Sequence, residues 1–188
     1  MREAGEGNGG AVLVRGDPGI GKSTLLQEAA LDATSRGFSV AIARVLDFGA
    51  TRETQAAATL CAHLLLECTG HEGEAGLAAA LAAGDLPRDL SLFVADLLSL
   101  PRSTEDLALY RAMDEAMRDS GRTRALQALL AAAARQRPQL VIVEDVHWAD
   151  ASLLRTLSLL AAGLAGSPAL ILMSSRIGYD SDARAARG

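Results

Sequence analysis

The segment Gly16-Asp17-Pro18-Gly19-Ile20-Gly21-Lys22-Ser23 constrains this chain more than any other. Glycines in register, then a lysine and a hydroxyl residue, make the pattern of a phosphate-binding loop, which has meaning only between a strand and a helix. Both flanks are in place. Ala11-Val12-Leu13-Val14 is a short apolar run ahead of it, and behind it Leu25, Leu26, Ala29, Ala30 and Ala33 recur at helical spacing. The glycines let the backbone curl so that N–H groups from about Gly19 to Thr24 face phosphate oxygens, helped by the positive end of the helix opening at Lys22. Lys22 is suited to the β and γ phosphates and the Ser23 hydroxyl to Mg²⁺, while Asp17, Pro18 and Ile20 complete the loop. Lys22 is the chain's single lysine, so the eight-residue pattern arises by chance in about one such chain in a thousand. The expected ligand is a purine nucleoside triphosphate with Mg²⁺, ATP first.

Further along, Ser39 to Val45 reads as a second buried strand, with Gly37 at the preceding helix end. From Thr51 to about Gln136 the pattern is helical, with expected breaks at Gly70 to Gly73, Gly84 to Pro87, Pro101 and Gly121, which makes four or five helices. Leu140-Val141-Ile142-Val143 is a third strand. Asp150 or Ser152 caps a helix over 151–165, and Ala169 to Met173 is a fourth strand. Strands apolar on both faces and separated by helices predict an α/β fold: a parallel sheet of about four strands, covered by helices on both faces.

The third strand runs into Glu144-Asp145. In a parallel sheet, acids at the carboxyl end of a strand lie on the ligand-binding edge. One of the pair then holds the Mg²⁺ shell and the other orients or deprotonates the attacking water. Here glutamate precedes aspartate, the reverse of the commoner hydrolytic order, so the base position has the shorter arm and slow hydrolysis is expected.

Val143-Glu144-Asp145-Val146-His147-Trp148-Ala149-Asp150, taken with the phosphate loop upstream and Ser174-Ser175-Arg176 downstream, resembles the ATPase domain of large bacterial signalling proteins. These include LuxR-type and MalT-type transcription regulators and class III adenylyl cyclases, in the STAND and AAA-like (Orc1-like) branch of P-loop ATPases. The resemblance spans nearly the whole chain and is strongest at these three motifs. It implies that Glu144 is the metal-site acid, Asp145 the catalytic acid and Arg176 a sensor of the γ-phosphate, a role that suits a bidentate guanidinium. Arg176 also reads as an ordinary surface arginine after a strand. Trp148 reads as a packing residue and Asp150 as a helix cap; the part of His147 is open.

The resemblance further implies a fifth strand beside the first, an arginine-bearing motif before it, and winged-helix, repeat and effector modules, none of them legible here. The domain is therefore expected over 11–176, between a flexible N-terminus (1–10) and a disordered tail (177–188), as a piece of a larger cytoplasmic regulator. Strand 11–15 would then stand at the sheet edge. Sensor and effector modules are the implied partners, with oligomerisation on ATP binding.

Other classes are disfavoured. With 18 basic and 23 acidic residues, net charge −5, the chain offers no basic face for nucleic acid. The uncharged stretch between Arg155 and Arg176 is divided by Gly166-Ser167-Pro168, which suits a turn and a buried strand rather than a bilayer helix. Cys61, His63, Cys68 and His71 lack a paired ligand spacing and read as helix packing. Arg102, Arg111, Arg118, Arg122, Arg124, Arg135 and Arg137 could form the lid of a small-molecule kinase, but they are interleaved with acids. A scaffold that has lost catalysis is the third alternative.

Overall fold

A computed structural model describes residues 7–46 and 52–178. The expected termini lie largely outside these residues, as does Thr51 at the start of the helical region. Strand β1 (Gly10–Arg15) leads through the phosphate loop into helix α1 (Lys22–Ser35) and then β2 (Ser39–Arg44). Five helices follow among the described residues: α2 (Arg52–Thr69), α3 (Gly73–Ala83), α4 (Ser91–Leu97), α5 (Thr104–Ala112) and α6 (Glu115–Gln136). Strand β3 (Gln139–Glu144), a short turn of 3-10 helix at Val146–Trp148, α7 (Ala151–Ala162) and β4 (Ala169–Ser175) complete the fold.

The four strands are parallel, in the order β1-β4-β3-β2. Every residue of β3 is buried, as a strand covered on both faces requires. One face carries the larger core. There Leu60, Leu64 and Leu65 of α2, Leu126 and Leu129 of α6, and Leu157 of α7 pack over Ala41, Val141, Val143 and Ile171. The other face is covered by α1, whose Leu26 and Ala33 pack with Leu140, Ile142 and Leu172. Among the described residues β1 pairs with β4 alone, and Val12 on this edge strand is 49% exposed.

Helix starts follow their caps. Ser103, Asp114 and Asp150 each accept a hydrogen bond from a first-turn N–H, at 3.0, 2.7 and 2.7 Å, satisfying donors that the helix itself leaves open. Gly121 departs from expectation: it does not break the helix, which runs unbroken from Glu115 to Gln136. The break falls instead at Met113 and the Asp114 cap. Gly121 is buried against Phe93, and a Cβ there would lie 2.2 Å from the Phe93 ring. The glycine serves close approach of α4 to α6 rather than chain reversal.

The arginines of 102–137 are largely engaged in structural pairs. Asp96 accepts from Arg102 at 2.9 Å and from the Nη2 of Arg122 at 2.9 Å, and the Tyr110 hydroxyl joins the same carboxylate. The Arg102 and Arg118 guanidinium groups lie 5.0 and 4.8 Å from the Tyr110 ring centre. Burial first, and then the Asp96 hydrogen bond, push the Tyr110 hydroxyl up to about 12. Arg124, Arg135 and Arg137 pair with Asp89, Asp85 and Glu67. His63 Nε2 shares a 2.8 Å hydrogen bond with the Ser39 hydroxyl.

Two outcomes follow from this packing. Gly121→Ala should cost about 1–3 kcal/mol in urea unfolding, because the added methyl has to displace the Phe93 ring from a filled core. Cys61 is buried, and its thiol is raised to about 12 by burial first and by Cys68 second. It should therefore resist alkylation at pH 8 in the folded protein and react at once in denaturant.

Candidate nucleotide site

Gly19 and Gly21 hold φ of 78° and 96°, a left-handed backbone that a Cβ would strain. This turns the chain directly from β1 into α1. Gly21 makes no side-chain cap hydrogen bond to α1, which leaves the helix N-terminus without a side-chain acceptor at that position, as suits a phosphate site. The Ile20 N–H closes a local turn on the Asp17 carbonyl at 3.4 Å. Lys22 folds back over the loop and donates from Nζ to the carbonyls of Gly16 at 2.8 Å and Asp17 at 2.9 Å. An ammonium has three N–H donors, so one remains for a ligand oxygen.

The neighbouring strand ends bring the distant residues to this loop. Gly16 N–H donates to the Ser175 carbonyl at 3.3 Å, joining the loop to the end of β4. The Ser23 hydroxyl donates to Glu144 Oε2 at 2.9 Å, across 121 residues of sequence. Glu144 is 8% exposed and also accepts from Arg44 Nη2, at 3.3 Å on Oε1 and 3.2 Å on Oε2.

Asp145 is held differently. It adopts φ 61° and ψ 40°, an uncommon conformation for a residue with a Cβ. Its backbone N–H donates to Ser174 Oγ at 3.0 Å. The strand thus ends abruptly, with the two acid side chains sent in different directions: Glu144 to Ser23 and Arg44, Asp145 to within 4.0 Å of His147 Nδ1. His147 is buried, and its ring centre lies 4.9 Å from that of Trp148. Arg176 is half-buried, its guanidinium 5.7 Å from the Trp148 ring centre.

Ser23 and Glu144 therefore meet directly and Lys22 lies over the same loop, while Asp145 and Arg176 occupy the same sheet edge through Ser174 and Trp148. Arg44, which touches Glu144, carries no motif; Ser174 lies in the Ser174-Ser175-Arg176 motif, and the structure adds that its hydroxyl fixes the Asp145 backbone. The signal for Arg44 is its position at the end of a strand that pairs with the acidic one. The donor set fits Mg²⁺, a hard cation usually held by one or two carboxylates together with substrate phosphates and water. After donating to Glu144, the Ser23 oxygen keeps lone pairs for such an ion.

The chain matches the AAA ATPase domain family over residues 1–173 and belongs to it. Members of that family generally bind ATP with Mg²⁺, and nucleotide binding follows for this chain. It is 32% identical over 179 residues to an uncharacterized protein of Rhizobium meliloti (strain 1021), an alignment covering 94% of this chain and 17% of that protein. No solved structure matches the chain significantly. Among the described residues, no helix is long and apolar enough to cross a membrane.

Ser174→Ala should cost about 1 kcal/mol in urea unfolding, since the Asp145 N–H loses its acceptor next to a conformation that needs support.

Proposed function

We propose that this chain is an ATP-binding, slowly hydrolysing switch domain of a larger bacterial signalling or transcription-regulatory protein. The observation that carries this is the 2.9 Å bond between Ser23 and Glu144, which joins the phosphate loop to the acid-bearing strand. In this role the loop N–H groups and the third donor of Lys22 bind the phosphates, and Ser23 and Glu144 hold Mg²⁺. The cation, when bound, neutralises charge on the β and γ oxygens. Asp145 supplies the carboxylate that orients or deprotonates water, and Arg176 responds to the γ-phosphate. A guanidinium resting on Trp148 has somewhere to return when that phosphate is gone, as a switch requires.

Slow hydrolysis is favoured by the short arm of Asp145 and by its left-handed backbone, which turns it away from Glu144. A free-standing kinase is disfavoured because Arg102, Arg118 and Arg122 are committed to Asp96 and Tyr110 rather than to a lid. Transcriptional output and assembly on ATP binding belong to this proposal and rest on the resemblance of the 143–150 motif; a cytoplasmic location belongs to it too and is supported by the free thiols of Cys61 and Cys68.

Calorimetry of ATP and ADP binding in Mg²⁺, on this chain and on Lys22→Ala, tests the proposal. Loss of the charge-assisted contact should weaken ATP binding by about tenfold to a hundredfold, and phosphate release by the unaltered chain should be slow. Equal binding by both proteins, or none by either, would leave a scaffold as the better description; rapid steady turnover would remove the switch.

A further inference from the structure

We propose that Arg44 is a resident counter-cation for Glu144: it holds the carboxylate in the nucleotide-free domain, must give it up when Mg²⁺ and ATP bind, and so sets the Mg²⁺ concentration required for uptake. This rests on Glu144 being the metal-site acid.

The contact is imposed by the sheet. Arg44 and Glu144 are direct partners in the parallel β2–β3 register, and partners on adjacent strands present their side chains on the same face. Arg44 Nη2 lies within 3.2–3.3 Å of both carboxylate oxygens, and Oε2 also accepts from Ser23. The guanidinium thus supplies positive charge at the two side chains suited to Mg²⁺. The Lys22 ammonium instead makes its contacts with the Gly16 and Asp17 carbonyls.

The two partners differ in freedom. Glu144 is 8% exposed and fixed at a buried strand, whereas Arg44 is 56% exposed and can swing into water at little cost in hydration. A buried carboxylate without a counter-charge is unfavourable, so the arginine stabilises the nucleotide-free state. The same contact competes with a cation approaching Glu144. Arg44 therefore acts through Glu144 as a positioning residue, and its release is linked to metal entry.

The test is a Mg²⁺ titration of ATP binding, followed by calorimetry, on the unaltered chain, Arg44→Gln, Arg44→Lys and Glu144→Gln. Arg44→Gln should lower the half-saturating Mg²⁺ concentration by about threefold to tenfold, with ATP affinity at saturating Mg²⁺ changed less than about twofold. Arg44→Lys, which restores the charge, should return most of the original requirement, and raising the salt should narrow the gap between Arg44→Gln and the unaltered chain. In the absence of nucleotide, Arg44→Gln should also melt at a lower temperature. If Glu144→Gln raises the Mg²⁺ requirement while Arg44→Gln leaves it unmoved, the counter-cation is wrong and the metal-site acid stands. If Glu144→Gln has no effect, the metal-site assignment fails and takes this proposal with it. Weaker ATP binding by Arg44→Gln at saturating Mg²⁺ would make Arg44 a phosphate contact and overturn its role as a competitor.

Discussion

Placing β4 between β1 and β3, with every strand parallel, brings the phosphate loop, the acids, Ser174, Arg176 and Arg44 to one edge. Each lies within a residue of a strand's end or just beyond it. The arrangement tolerates no slip in register: a shift of one residue in β3 would send Glu144 to the opposite face of the sheet and part it from both Ser23 and Arg44. Register is secured by burial. Leu140 and Ile142 pack toward α1, whereas Val141 and Val143 pack toward the larger helical layer, so a slipped β3 would put each side chain into the wrong core.

Arginine plays two separate parts in the molecule. Arg122, clamped between Asp96 and Tyr110 and flanked by Arg102 and Arg118, ties α4, α5 and α6 into one block away from the loop. Shielded pairs of this kind specify geometry, since removing one partner strands the other charge. Arg44 sits at the sheet edge with most of its length in water and holds its partner loosely by comparison. Burial separates the scaffold from the part able to move.

Much of this was legible in the sequence because it is local. The phosphate loop, the acid-bearing strand and the Asp150 cap are set by residues close to one another in the chain, and each lies where its pattern places it. Gly121 reads as a stop because it is a glycine inside a helical pattern, and only the Phe93 ring, 28 positions earlier in the sequence, explains it. Arg44 stands out little in the sequence for a related reason: a basic residue at a strand end is ordinary until strand order puts Glu144 beside it. The left-handed turn at Asp145 was equally hidden, since its support comes from Ser174 on another strand. What stayed unread in each case was a contact between elements far apart in the chain.

Trp148 is the chain's one tryptophan, and it lies between the acids and α7 with a guanidinium near its ring. All indole emission from this chain therefore originates at the edge where the strand ends gather. The molecule carries its own optical reporter, placed where a rearrangement of Arg176 alters the charge around the ring, and that edge can be watched without attaching any label.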